Sequence, residues 1–405
     1  LLEKNEKKRA DMVYRILQVL DQFLNPYPED GGCDEGPGYW GAAAASLYDN
    51  IAMLNLATKD AFRYVFSNEK IKNMARFIYR AQIGKDYFID FADADPRPGM
   101  AASMIYRFGK DIGDEDMMHF GAFYRKPKNG EIGSFQYFRN LFELFIQKEY
   151  RSAPQALPLP SDVWLPGIQV MIARDREGSS KGLFVAAKGG NNDESHNHND
   201  VGSYVVYYDG LPVIIDVGRG TYTRKTFSDQ RYKIWSNCSD YHNLPTVNSA
   251  TQPPGAGFRA TDVAYVKKKD FSELTLNIAD AYPVSAGIRQ LWRTVRLNRT
   301  KNVEVTDKLS LKEAATVTEH LMTCYPAVLK KEGEVVIYYK QENGASKNFV
   351  VQYDPKQMKV AIEKVPLVAM EDKGIIEKWG DTIYRISFSG NLPDKSIMKF
   401  VIRPE

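Results

Sequence analysis

Cysteine is scarce in this chain. Cys33, Cys238 and Cys324 lie far apart in 405 residues, which excludes a disulfide framework and leaves at most one bridge within the chain. Long apolar runs are lacking, and none reaches the length that crosses a bilayer. Charge of one sign is lacking too. Lys and Arg number 54 against 51 Asp and Glu, a net charge of +3, so bulk charge gives no case for a nucleic-acid partner. There is no internal repeat and no low-complexity tract. The opening residues, Leu1-Leu2-Glu3-Lys4-Asn5-Glu6, carry no signal-peptide pattern, cap or initiator methionine. They read as the middle of a helix, so the chain is expected to be a piece of something longer. Histidine is rare as well: five in all, three of them between 196 and 242.

What is present falls into two parts. A length of 405 residues suggests two or three domains, and 43% hydrophobic residues suffice for large cores. Up to about Tyr150 the period is helical. Met12, Ile16, Val19, Leu20 and Phe23 recur at helical spacing, and Ala42–Leu56, Asp60–Ala81, Met100–Phe108 and Phe135–Tyr150 continue the pattern. The proline-rich stretch from Ser152 to Pro160 then reads as a linker. Beyond it the period falls to two, with expected strands at 169–173, 182–188, 262–267, 273–278, 291–297, 303–309, 316–322, 335–339, 349–353 and 382–387, and one short helix at Asp229–Ser236. The expected fold class is α+β multidomain: a helical domain at 1–151, a linker at 152–161 and an antiparallel β-sandwich at 162–405.

The histidine-rich segment carries the chemistry. His196-Asn197-His198-Asn199-Asp200 precedes a hairpin pattern, Ser203–Tyr208, Asp209-Gly210 and Val213–Ile215, which can bring the loop close to Asp216. His198, Asp216 and His242 make a set of two histidines and one carboxylate. That set suits zinc with an open position, and equally non-haem iron; the competing reading is three polar loop residues with ordinary hydrogen bonds. Glu35, among glycines, proline and aromatics, would have a raised pKa if partly buried, or would simply charge a helix start. Tyr87 is a potential proton donor, though most tyrosines are half-buried with a wet hydroxyl. Tyr39, Trp40 and Trp235 could stack on sugar rings or serve as core aromatics, and Tyr222, after Gly218-Arg219-Gly220, could face the same cleft. His119 and His320 read as structural.

Two motif blocks give these residues a family likeness. Asp30-Gly31-Gly32 followed by Glu35-Gly36-Pro37, Tyr39 and Trp40, before an alanine-rich helix, resembles the heparinase II/III-like polysaccharide lyases. So do His196-Asn197-His198-Asn199-Asp200, Leu211-Pro212-Val213-Ile214-Ile215-Asp216-Val217-Gly218, and Ser239 with His242-Asn243. The resemblance implies an α/α toroid, here partial, against a β-sandwich, and β-elimination on a uronic-acid polysaccharide, most simply a heparin- or heparan-sulfate-like glycosaminoglycan. It places the catalytic roles on His196, Tyr87 and Glu35, substrate contacts on Tyr39, Trp40, Asn199 and Tyr222, and a structural Zn2+ on His198, Asp216 and His242. It implies an acidic polysaccharide as partner, no nucleic acid and no membrane span, a periplasmic or secreted setting, and a homodimer as one assembly open to it. Gly32 stands where some relatives have a histidine. About 150 helical residues are also few for a closed toroid. The alternatives are a non-catalytic carbohydrate-binding protein of the same fold, and a metal-dependent hydrolase.

Overall fold

The computed structural model describes residues 3–84, 86–125, 137–340 and 346–405. The chain forms two compact units. The first comprises residues 1–33, 39–80 and 99–158; the second comprises 34–38, 81–98 and 159–405. Two short stretches of the N-terminal sequence thus belong to the β unit.

The first unit is helical: α1 (Glu6–Leu24), α2 (Ala44–Thr58), α3 (Glu69–Arg80), α4 (Ala102–Ile112), α5 (Glu115–Phe123) and α6 (Tyr137–Ser152). The helix expected over 60–81 is divided into a 3-10 turn, Arg63–Ser67, and α3. Asn68 is extended there, and its side chain accepts from the Lys70 amide at 2.9 Å, capping α3. Residues 135 and 136 of the last expected helix lie outside the described residues. Helix α5 was not expected. Its start is fixed by Asp114, whose carboxylate accepts from the Met117 amide at 2.8 Å.

The second unit is built of antiparallel sheets. A five-stranded sheet runs in the order 162–165, 170–174, 183–188, 204–208, 211–214. An eight-stranded sheet runs in the order 327–331, 334–340, 346–352, 395–404, 302–311, 288–298, 271–277, 261–267. A four-stranded sheet joins 359–366, 382–392, 315–323 and 245–247. Residues of all three sheets share one apolar core, including Val185, Val206, Leu274, Val295, Leu321 and Ile386. Burial alternates strictly along 271–277, so one face of the large sheet meets the core and the other meets water. Strands 170–174 and 183–188 are buried at every position. The expected helix at 229–236 is replaced by 3-10 turns at Arg231–Lys233 and Trp235–Asn237. The side chains of Arg231 and Trp235 instead bond Asp93 and Asp372, far away in the chain.

Candidate active site

Local backbone needs bring four separated segments together in the second unit. The buried Arg174 guanidinium donates to the carbonyls of Pro160, Ile83 and Gln82 at 2.9, 2.8 and 2.5 Å, fixing the start of the 81–98 segment on the five-stranded sheet. Gly36 has φ +80°, and a Cβ there would fall 2.6 Å from the Ala94 Cβ, so only glycine lets loop 34–38 lie on the turn at 91–95. The Asp34 carboxylate accepts from the Ser195 amide at 3.2 Å, which ties that loop to the histidine loop. Ala92 and His196 both adopt the left-handed conformation, at φ +61° and +53°, unusual for residues with a Cβ.

At the meeting point stands Asp93, 1% exposed. Its Oδ2 accepts from His196 Nδ1 at 2.9 Å and from the Tyr222 hydroxyl at 3.0 Å. Its Oδ1 accepts from His198 Nε2 at 3.0 Å and from Arg231 Nη2 at 2.8 Å. The Tyr222 hydroxyl also lies 3.2 Å from His196 Nδ1. Burial alone would raise the Asp93 carboxyl, but the bond and charge of His198 and the charge of Arg231 outweigh it and hold the group well below the usual carboxylate range. An ionised carboxylate only accepts, so both histidine nitrogens facing it carry protons.

His198, Asp216 and His242, the set that the resemblance implied, meet in the structure. One ligand atom from each lies within 4.8 Å of the others, and all three side chains are fully buried. His242 Nδ1 is 3.0 Å from Asp216 Oδ2. The second nitrogens, His198 Nδ1 and His242 Nε2, are buried and meet no hydrogen-bond partner among the described residues. Burial pushes His198 down, against the pull of Asp93, and keeps it neutral. Burial acts the same way on His242, but the Asp216 charge outweighs it and draws that ring up; Asp216 in turn is held low despite burial by His242 and His198. Two orphaned buried imidazole nitrogens beside an ionised carboxylate fit a divalent cation of the zinc type. Asn243, next in sequence, clamps the surroundings: its amide donates to the carbonyls of Tyr204 and Ile215 at 2.6 and 2.9 Å, and its oxygen accepts from the Met322 amide at 2.8 Å.

The other expected residues are distributed as follows. Glu35 is half-buried in the second unit; burial pushes its carboxyl up, the His196 charge opposes, and Asp34 and Asp93 add to the rise. Tyr222 is the tyrosine hydrogen-bonded to His196. The Tyr87 ring packs against Tyr207 and Trp379, at 5.6 and 6.3 Å between centroids, with the Arg97 guanidinium over it at 5.7 Å. Asn199 is buried, its backbone N–H donating to the Asn237 carbonyl at 3.0 Å. In the first unit, the Tyr39 carbonyl accepts from the Ala42 and Ala43 amides and opens the turn into α2. Trp40 is a correction. It is 2% exposed and its indole donates to the Met74 carbonyl at 2.7 Å, so it is a core side chain of the helical unit, not a sugar platform.

Sequence reasoning missed Asp93, Arg231 and Arg219. The one available signal was the acidic turn Asp90-Phe91-Ala92-Asp93-Ala94-Asp95, which gave no hint of which acid turns inward. Arg219 Nε donates to the Asp93 carbonyl at 3.1 Å and its guanidinium covers the Tyr222 ring at 4.5 Å. Asp93 and Tyr222 open onto a cleft lined by Arg219, Lys225, Lys233 and Trp235, among others. Trp235 is held at its edge by a bond from its indole to Asp372 at 3.1 Å.

No curated protein sequence matches the chain. The crystal structure of the heparan sulfate lyase HepC from Pedobacter heparinus superposes with a TM-score of 0.69 at 14% identity, over 96% of this chain and 55% of that one. A heparinase III crystal structure gives a TM-score of 0.67 at 15% identity, over 96% and 56%. The chain therefore shares their fold and spans about half their length. The family model described as heparinase II/III-like, C-terminal, matches residues 165–372, half of the sequence. The chain belongs to the heparinase II/III-like family.

Proposed function

We propose that this protein is a polysaccharide lyase that cleaves a uronic-acid polymer by β-elimination, a heparin- or heparan-sulfate-like glycosaminoglycan being the expected substrate. One observation carries the reading: His196, with its Nδ1 proton held by the ionised Asp93, shares a site with Glu35, whose carboxyl burial has pushed up.

Elimination removes the proton alpha to the uronate carboxyl, and that proton is poorly acidic while the carboxylate keeps its charge. A Glu35 that holds a proton can share it with the substrate carboxylate and let enolate-like charge develop. The His196 ring, protonated at Nδ1, has its lone pair on Nε2 and takes the alpha proton there. The electron pair of the C–H bond forms the new double bond, the C–O bond to the departing sugar breaks, and a tyrosine hydroxyl protonates the leaving oxygen. The family likeness gives that last role to Tyr87. The geometry favours Tyr222, whose hydroxyl is bonded to His196. Arg219, Lys225 and Lys233 give the adjoining cleft a cationic wall suited to an acidic polymer.

His198, Asp216 and His242 would hold a zinc ion. Its chemistry here would be structural, joining the hairpin to the loop that carries His196. A hydrolase working through that metal is less well supported, because His198 and His242 are 0% exposed at the side chain whereas His196 is 26% exposed. The helices of the first unit are read as part of an α/α toroid, and polymer degradation suits a periplasmic or secreted setting.

The test is ultraviolet absorbance during incubation with heparin, heparan sulfate, hyaluronan, chondroitin and alginate. Elimination leaves an unsaturated uronate that absorbs. A rise with one polymer, abolished in His196→Ala with metal content unchanged, is the expected result. New reducing ends without absorbance would sink the lyase reading in favour of hydrolysis.

A further inference from the structure

We propose that Asp93 is the positioning residue of this site: one carboxylate orients His196 as the base and His198 as a metal ligand, so that base and metal site hang on a single tie. The inference deepens the lyase reading and rests on it for the role of His196. Its structural content stands apart from that reading.

His196 and His198 are two residues apart, and in a regular strand they would share a face. The left-handed turn at His196, φ +53°, breaks that geometry, and the two rings approach the same carboxylate from different sides. One meets Oδ2 at 2.9 Å and the other Oδ1 at 3.0 Å. Tyr222 and Arg231 bring the donors to four, which matches the acceptor capacity of a carboxylate. A left-handed non-glycine residue is strained, so it persists only where its surroundings determine it, and the bond to Asp93 is such a determinant.

Each bond selects a tautomer. Donation from His196 Nδ1 leaves the lone pair on Nε2. Donation from His198 Nε2 leaves the lone pair on Nδ1, the buried atom with no hydrogen-bond partner among the described residues. The two rings therefore carry opposite tautomers, set by opposite oxygens of one acid. Asp93 is itself held from outside: Arg231 Nε donates to the Asn197 carbonyl at 2.9 Å, between the two histidines, and Arg219 holds the Asp93 carbonyl. An asparagine at 93 would keep the shape but offer one acceptor and one donor, so it would satisfy one ring at most. The other would have to change tautomer or turn away.

The measurement is two-bond 1H–15N correlation of 15N-histidine protein at neutral pH, metal-free and zinc-loaded; with five histidines in the chain, His196→Gln and His198→Gln identify the signals. The unsubstituted protein is expected to show His196 protonated at Nδ1 and His198 at Nε2. Asp93→Asn is expected to mix or invert one of these tautomers, to weaken zinc binding about 10–100-fold by competition titration, and, with a substrate in hand, to lower kcat far more than it raises KM. The opposite tautomer at His196 or His198 in the unsubstituted protein would overturn the proposal without any variant at 93. So would a folded Asp93→Asn with tautomers and zinc affinity unchanged. If no polymer is cleaved, the lyase reading fails while the tautomer and zinc results still decide the role of Asp93.

Discussion

His196 and His198 show how two identical side chains acquire different tasks. One is partly exposed and joined to Tyr222; the other is fully buried and faces Asp216 and His242. The proton donor can be assigned at the same scale. Tyr222→Phe is expected to lower kcat about 100-fold or more with little change in KM, the usual worth of a positioned acid, and Tyr87→Phe to do less. Steady-state kinetics on the cleaved polymer would settle it; the reverse order would return the role to Tyr87. A second expectation concerns the metal. Asp216 draws His242 up although burial opposes, which favours a protonated ring whose second N–H would be buried without a partner. Under the proposed zinc reading a cation would replace that proton, so zinc binding should release a proton and weaken as pH falls. Calorimetry in buffers of different ionisation enthalpy reads the release directly, and binding heats that do not change with buffer would contradict it. The clustering of His198, Asp216 and His242 was readable because the histidines are few and the hairpin brings their loop to Asp216. Asp93 was not, since its four partners lie more than 100 residues away in sequence and nothing local marks an inward-facing acid.

At the scale of elements, most strands with alternating apolar residues were legible, including the charged 291–297 and 303–309, but 359–366 and 395–404 were not expected. Residues 359–366 and 395–404 form strands despite Lys359, Glu363, Lys364, Lys395, Lys399 and Arg403, because one side of each faces water. The 3-10 turns at 231–237 escaped for the opposite reason: local propensity favoured a helix, and long-range bonds from Arg231 and Trp235 overrode it. Strand 315–323 carries an element-scale prediction. His320 there bonds Thr246 and Ser387 in the neighbouring strands, at 3.1 and 3.0 Å, and burial first, then the Arg385 charge, lowers its pKa from 6.5 to about 4. Between those values the unfolded chain binds a proton that the folded chain refuses. Stability from this residue is therefore complete above about pH 6.5 and is lost as pH falls toward 4, by about 3 kcal/mol at most. Urea unfolding of the protein and of His320→Gln across pH 4–7 should give curves that converge at low pH. A difference independent of pH would show that His320 does not charge on unfolding.

At the scale of the whole molecule, a net charge of +3 over 405 residues masks a local imbalance. Of the acids lining the cleft, Asp93 is bonded to Arg231 and Asp372 accepts from the Trp235 indole and the Ala369 amide. Arg219, Lys225 and Lys233 remain to face a ligand, with Glu371 as the opposing charge. Lys225 donates to the Lys233 backbone carbonyl at 3.0 Å, which ties its side chain to the segment that carries Lys233. Composition could not reveal this, because it averages over both units, and only the fold brings residue 219 to 225 and 233. The pair makes a prediction about substrate choice. Contacts of this exposed kind are worth about 0.2–1 kcal/mol each, so Lys225→Gln with Lys233→Gln should raise KM for a sulfated uronate polymer by up to about thirtyfold while leaving kcat nearly unchanged. The loss should shrink for an unsulfated polymer, and it should fade as salt is raised and screens the wall. KM measured on heparin and on hyaluronan at two ionic strengths separates the outcomes. An equal loss on both polymers, unaffected by salt, would mean that the lysines shape the cleft and do not read its charge.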